Sequence, residues 1–337
     1  MRIDDFDYHL PATSIAQAAI EPRDDARVLV ASDLSELRFR DIADLLQPND
    51  LLVVNRTKVR SARLLGRRKP TGGRTEVLLT RRIDTERWQA LVSPSKKVRI
   101  GSIVECERLD VEILSNPVNG VATVSLTCDG DVESVIEAVG TLPLPPYYHG
   151  ELDTSDRYQT MFAKTIGSSA APTAALHFTD GVIGSLTRNG VHIAEVDLEV
   201  GLDTFRPMGD GLVEDHVIHS ERVVVDTATV AAVDQARASG GRVIAVGTTV
   251  VRSLETAAVG DGRIRAFSAD TDLFIAPGHE FEVVDAIFTN FHAPRTTLIV
   301  MMAAALGERW RDVYDHALVN DYRFLSFGDA MYIEITQ

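Results

Sequence analysis

The sequence predicts a large α/β domain, assembled from both ends of the chain, with a β-rich domain inserted into it. Three observations predict this. Between about 61 and 140, short strand-like runs are punctuated by Gly72-Gly73, Asn119-Gly120 and Asp129-Gly130. After residue 150, apolar strands alternate with helical stretches. Apolar residues make up 45 % of a 337-residue chain, enough to bury the cores of about two domains.

In chain order, Asp41–Leu46 reads as a short helix and "DLLVVN" (Asp50–Asn55) as a buried strand ending in a polar residue. The runs "TEVLLT", "WQALVS", "SIVECE", "VEILS" and "VATVSLT" are β-rich. Asn-Gly between two of them marks a hairpin, and strands so short and so spaced suggest a small barrel or sandwich. "LPLPPYYHG" (Leu142–Gly150) is Pro-rich and extended, a linker or return strand. "GVIGSLTRNG" is a helix stopped by Gly190, "VHIAEVDLEV" a strand and "TATVAAVDQARASGG" a helix. "RVIAVGTTVVRSLETAA" runs strand, sharp turn, helix; "DAIFTNFHAPRTTLIVMMAAALG" runs strand, loop, buried helix; "FGDAMYIEI" closes with a strand. The expected division is residues 1–60 plus 151–337 for the α/β domain and 61–150 for the insert.

Net charge is −15, which disfavours general nucleic-acid binding. The distribution is uneven: Arg56 to Arg82 holds ten basic residues against one acid, Glu76, and Lys96, Lys97 and Arg99 follow. This is either a solvated surface or a strip that meets phosphates. No apolar run is long enough to span a membrane; Leu298–Leu306 is too short. Residues 1–5 lack the features of a signal peptide, so the expected location is the cytoplasm. Cys106 and Cys128 have no metal-type spacing; a disulfide is possible, two buried thiols fit a cytosolic chain better.

Several stretches could carry chemistry. In "VIAVGTTVVRSLE", Thr248 or Thr249 can cap a helix whose free N–H groups attract an anion, with Arg252 close by. In "TNFHAPRTT", Asn290 and His292 occupy the loop after a strand, and Thr296 can cap the next helix. "AAPTAALHFT" sets small residues before His177. "EVDLEVGLDTF" places Glu195, Asp197 and Glu199 on one strand face, either a solvent edge or an acidic wall beside a cationic ligand. "EDHVIHSE" holds His216 and His219 three apart. A metal needs three or four convergent ligands, and no third His or Cys lies nearby, so a substrate-contact or acid/base role is preferred to a metal site, while the spacing alone favours a purely structural role over both.

Together these stretches resemble the S-adenosylmethionine:tRNA ribosyltransferase-isomerase family of queuosine biosynthesis. The resemblance runs through "DFDYHLP", "NRTKVRSARLLGR", "TGGRTEVLL", "LPLPPY", "DRYQTMFA", "AAPTAALHF", "VGLDTFRP", "EDHVIHSE", "GRVIAVGTTVVRSLE", "LFIAPG", "TNFHAPRTTL" and "YRFLSFGDAM", in one order over nearly the whole chain. It implies an inserted β-barrel. It implies S-adenosylmethionine as a substrate that gives up its ribosyl part to 7-aminomethyl-7-deazaguanine in tRNA, releasing adenine and methionine. No metal, further cofactor, membrane or obligatory protein partner is implied. His177, His216, His219 and His292 fall in matching motifs as acid/base candidates. Thr248, Thr249 and Arg252 would hold the methionine carboxylate or a phosphate; Asn55 and Arg63 lie where the strand enters the basic segment, which would face tRNA; Asn290 contacts substrate.

The sequence departs from the family pattern in places. The family usually reads Leu-His-Val-Gly-x-Gly-Thr-Phe where this chain has Leu198-Glu199-Val200-Gly201-Leu202-Asp203-Thr204-Phe205. Ala26, Ala175, Val250, Ala293 and Thr296 are smaller changes, and His149-Gly150 stands where an Arg is usual. Glu199 and Asp203 would add charge on a ligand-facing side. The alternative expectation is therefore a divergent relative that binds S-adenosylmethionine or a related nucleoside and acts on a substrate other than tRNA.

Overall fold

The computed structural model describes residues 1–335 except 151, 153, 202–205 and 219. The chain divides into two compact units. Met1–Lys58, Pro145–Ile166 and Ala171–Gln337 form the larger, Val59–Leu144 and Gly167–Ala170 the smaller.

The larger unit opens with β1 (Arg27–Val30), β2 (Glu36–Arg38) and β3 (Leu51–Asn55). The segment expected as a helix near Asp41 is instead a 3₁₀ helix, Phe39–Leu45, which buries Phe39, Ile42 and Ala43. β4 (Thr57–Val59) follows. The smaller unit is a closed six-stranded antiparallel barrel of β5 (Arg63–Lys69), β6 (Arg74–Arg82), β7 (Arg87–Ser93), β8 (Ile103–Cys106), β9 (Leu109–Ile113) and β10 (Val121–Cys128), in the order β10-β7-β6-β5-β8-β9. Alternate residues such as Val77, Leu79, Ala90, Val92, Val124 and Leu126 are buried, as a strand's two-residue period demands. Asn119 and Gly120 both take positive φ, +52° and +87°, and turn the chain between Val118 and Val121, the hairpin geometry that Asn-Gly favours.

A helix the sequence reading missed, α1 (Val132–Val139), follows the barrel, capped by Asp131, which accepts from the Ser134 N–H. Leu142–Gly150 forms neither strand nor helix. Both cysteines are free thiols; Cys106 is buried but Cys128 only half-buried.

β11 (Thr165–Ser168) pairs with β4, and the larger unit continues with α2 (Asp180–Arg188), β12 (His192–Leu198), β13 (Glu221–Val225), α3 (Thr227–Ala238), β14 (Val243–Val246), α4 (Thr248–Ala257), β15 (Phe267–Thr271), β16 (Ala286–Asn290), α5 (Thr297–Leu306), α6 (Trp310–Val319) and β17 (Ala330–Glu334). The nine-stranded sheet has the order β15-β13-β12-β3-β14-β16-β17-β1-β2. Its centre, β12, β3, β14 and β16, is parallel. β3 and β14 are buried throughout, as central parallel strands covered on both faces must be. Leu52, Val54, Ile244, Val246, Phe288 and Tyr332 project to one face, onto Phe39, Phe178, Val182 and Leu186. Ligands of open parallel sheets lie beyond the strand C-termini, which is where Asn55, Gly247 and Asn290 stand.

Candidate active site

β14 ends at Val246, and Gly247, at φ +89°, turns the chain sharply into α4. Gly247 is itself the N-cap. The expectation that Thr248 or Thr249 caps this helix is corrected: both already lie in its first turn, and no side chain caps it. Their N–H groups belong to the orphan donors of a helix start. The Thr248 side chain, 7 % exposed, makes no hydrogen bond among the described residues. Thr249 Oγ1 receives a long bond, 3.4 Å, from Asn55 Nδ2.

On the neighbouring strand, β16 delivers Thr289 and Asn290, and His292 follows in the loop. The His292 backbone is held at both ends: its N–H donates to the Tyr314 hydroxyl at 3.1 Å, and its carbonyl accepts from the Tyr8 hydroxyl. Its Nε2 lies 3.1 Å from Thr289 Oγ1. Thr296 then caps α5, accepting from the Ile299 N–H, as expected. Asn290 Oδ1 accepts from Thr173 Oγ1 at 2.9 Å, and its Nδ2 lies 3.3 Å from His177 Nε2.

These groups surround one cleft, lined from α4 by Gly247, Thr248 and Thr249, from the β16 loop by Asn290 and His292, and further by Thr173, Val200, Tyr147 and Ser326. It holds about 610 Å³ of empty space, its open mouth included, within the usual range for a small-molecule site. Among the described residues, no Asp, Glu, Lys or Arg lines it. Two helix N-termini, of α4 and α5, reach it. Tyr147 and Ser326 were not singled out from sequence; their oxygens lie 2.6 Å apart at its edge. Burial pushes the Tyr147 hydroxyl up to about 12, so it stays protonated.

Burial also decides the charge of two imidazoles, His292 in the cleft and His177 beside Asn290. It pushes His177 down to about 4, opposed by the Asp329 charge, and His292 down to about 3. Both are neutral at pH 7. Neither is a protonated acid in the free enzyme; each offers a lone pair.

The remaining candidates lie elsewhere. Asn55 is buried and structural in its contacts: Nδ2 donates to the Leu198 carbonyl at 2.9 Å, and Oδ1 accepts from the Thr57 and Leu198 N–H groups. Arg252 forms a buried ion pair with Glu221 and donates to the Leu273 carbonyl at 3.1 Å, so its charge is already compensated. The last glutamate of "EDHVIHSE" therefore serves that pair, and its other oxygen accepts from the Gly201 N–H at 2.8 Å. His216 is half-buried beside Phe274, ring centroids 5.7 Å apart, and does not line the cleft. His219 and Asp203 lie outside the described residues. Glu199 is exposed and does not line the cleft. The acidic face of β12 meets cations of this chain: Arg56 bonds Asp197 at 2.9 Å, and Lys164 bonds Glu195 at 2.6 Å. Arg63 belongs to the barrel, where its Nε lies 3.4 Å from Glu76. Among the described residues, no group of three or more His, Cys, Asp or Glu is placed to hold a metal, and no helix is long and apolar enough to cross a membrane.

A cleft at the C-terminal ends of a parallel sheet, with no charged side chain among the described residues that line it and the neutral His292 imidazole and two helix starts at its walls, defines an α/β enzyme with a small-molecule site. The chain belongs to the family described as queuosine biosynthesis protein, which it matches over residues 3–333. It is 46 % identical to a protein of Symbiobacterium thermophilum named S-adenosylmethionine:tRNA ribosyltransferase-isomerase, over 99 % of this chain and all of that one. A protein of the same name from Pelotomaculum thermopropionicum is 45 % identical over the same shares. The crystal structure of an S-adenosylmethionine tRNA ribosyltransferase from Thermotoga maritima is 34 % identical, with a TM-score of 0.56 over 98 % of this chain and 99 % of that one.

Proposed function

We propose that this chain is an S-adenosylmethionine:tRNA ribosyltransferase-isomerase. It transfers and isomerises the ribosyl part of S-adenosylmethionine onto 7-aminomethyl-7-deazaguanine in tRNA, forms epoxyqueuosine and releases adenine and methionine. The observation that carries this reading is end-to-end identity of 46 % with an enzyme of that name. The alternative of a divergent relative loses its main support, because Glu199 lies outside the cleft and the acidic face of β12 is paired with Arg56 and Lys164.

The cleft suits the chemistry. The carbon beside a sulfonium is acidic, and a base must take its proton. His292 is the candidate, fixed by Tyr8, Tyr314 and Thr289. Its low pKa describes proton exchange with water. Transfer from a bound cationic donor moves charge within one cleft and leaves the total buried charge unchanged, so the burial penalty does not oppose it in the same measure. The departing adenine meets neutral polar groups, such as the Tyr147 hydroxyl at the edge of the cleft. Thr248, with a free hydroxyl at a helix start, meets the ribosyl hydroxyls. His177 positions Asn290. S-adenosylmethionine is a substrate, and the reading needs no further cofactor or metal.

The barrel supplies cations for tRNA. Arg60 and Arg82 are paired with Glu133, and Lys69 with Glu105 and Asp110. Arg67, Arg68, Arg74, Lys96, Lys97 and Arg99 have no ion pair among the described residues and remain available for phosphates. The test is turnover with S-adenosylmethionine and tRNA carrying 7-aminomethyl-7-deazaguanine. Adenine and methionine release, with the mass of epoxyqueuosine in the tRNA, is expected. Bound S-adenosylmethionine without product would overturn the reading.

A further inference from the structure

A second, smaller cavity lies against the first. Ser326 lines both. The annexe holds about 250 Å³ of empty space, its opening included, and its walls are Ala19, Arg23, Arg157, His177, Ser326 and Phe327, with Ile20 and Leu176. Unlike the main cleft, it has two arginines among its lining residues.

Its two arginines differ. Arg157 is neutralised by Glu21 at 2.8 Å and also donates to the Ile20 carbonyl. Arg23 has no carboxylate within ion-pair distance among the described residues. Its guanidinium donates only to backbone carbonyls, of Gln159 at 2.9 Å, Asp156 at 2.8 Å and Leu176 at 3.5 Å. Those bonds fix the group without cancelling its charge. Arg157 repels it, and Glu21 and Asp156 act on it only at longer range. A half-buried, positioned and uncompensated guanidinium beside an open cavity is a site for an anion.

We propose that the annexe is a carboxylate subsite in which Arg23 meets the amino-acid end of an S-adenosyl donor whose nucleoside lies in the main cleft. This rests on the donor reading above. It also settles a competition between two places for that carboxylate. The start of α4 offers N–H groups and the Thr248 hydroxyl but no cation, since Arg252 is paired with Glu221. A helix terminus alone offers only a partial charge. A charge-assisted bond to a guanidinium is the stronger interaction, and Arg23 is already held in place. The carboxylate therefore goes to Arg23, and the α4 start is left to neutral hydroxyls.

The experiment measures adenine release from S-adenosylmethionine and from its decarboxylated analogue, by the wild-type protein, Arg23→Gln and Ala19→Leu. Ala19→Leu fills the annexe while leaving every bond of Arg23 in place, so it answers the question if Arg23→Gln folds poorly. The wild type is expected to show a KM about 10- to 100-fold higher for the decarboxylated donor. Both variants are expected to raise the KM for S-adenosylmethionine by a similar factor, with kcat changed less than about threefold, and to lose the distinction between the two donors. If they discriminate as the wild type does, the carboxylate binds elsewhere and the subsite is refuted, while the donor reading stands. If Arg23→Gln raises the KM for tRNA instead, the annexe reads a phosphate and the proposal is wrong. If the wild type releases no adenine from either donor, the donor reading falls and the subsite with it.

Discussion

Asn290 Nδ2 stands 3.3 Å from His177 Nε2, and this contact selects the tautomer of a buried imidazole. An amide nitrogen only donates, so Nε2 must accept and the ring proton sits on Nδ1. Asn290→Asp replaces the donor by a carboxylate. A carboxylate there favours the imidazolium, so the His177 pKa should rise from about 4 toward neutrality. NMR titration of the His177 ring is expected to show protonation above pH 5 in the variant only. At neutral pH, adenine release should fall by about 10- to 100-fold, because the base pocket gains a fixed charge. An imidazole that still fails to titrate above pH 5 would refute the direct contact between positions 290 and 177.

Replacing His292 by Asn removes the base and keeps a polar group of similar reach. The kcat is expected to drop by roughly 10²- to 10⁴-fold, with the KM for the donor changed only a few-fold. His216→Asn serves as the control, since His216 does not line the cleft. Steady-state adenine release compares the two, and an equal loss in both would refute the assignment.

Acid should destabilise the fold through both imidazoles. Their folded pKa values, about 4 and about 3, lie below the ordinary 6.5. Above pH 6.5 folded and unfolded chains are equally neutral at these rings, and the stability is fully present. As pH falls below 6.5, the unfolded chain binds protons that the folded one refuses, so stability is lost down to the folded pKa values. Each ring contributes a slope of about 1.4 kcal/mol per pH unit. Urea midpoints between pH 7 and 4.5 should fall less steeply in a His177→Asn, His292→Asn double variant.

Arg252 is a structural partner of Glu221 rather than an anion ligand. Arg252→Met alone strands a buried carboxylate and should cost about 3–5 kcal/mol. Adding Glu221→Met should recover much of that loss, and the KM for the donor in the double variant should stay within about threefold of wild type. Denaturant curves and donor titrations together decide. A large KM increase in the stable double variant would restore Arg252 as a ligand.

Glu199→His restores the residue usual in the family. Because Glu199 is exposed and outside the cleft, kcat/KM should change by less than about twofold. A tenfold change would show that this position reaches the substrate.

Much of this architecture was legible because its signals are local. The unbroken apolar run Leu51–Val54 announces a central strand, Asn119-Gly120 a hairpin, and strand-loop-helix order places Thr248, Asn290 and His292 at one sheet edge. Tyr147 and Ser326 were missed because only the fold brings positions 147 and 326 together; the Pro-rich run before Tyr147, which stiffens its approach, was the one available hint. Arg252 was misjudged because its partner is set by the β13–β15 pairing, which no short window contains. α1 escaped because Val132, Val135, Ile136 and Val139 give it the β-branched look of a strand.

The pairing of β1 with β17 ties the timing of folding to the length of the chain. Val28 lies beside Ala330, roughly 300 positions further on. At about 5–20 residues per second of synthesis, β1 waits ~15–60 s on the ribosome for its parallel neighbour. The barrel strands, all within Arg63–Cys128, need no such delay and can close while the first sheet strands still lack theirs. Until β17 emerges, β1 has only the three-residue β2 beside it in the finished register. Any nascent chain halted before residue 330 therefore carries a complete insert inside an unfinished host, with an apolar strand edge open to whatever binds it first.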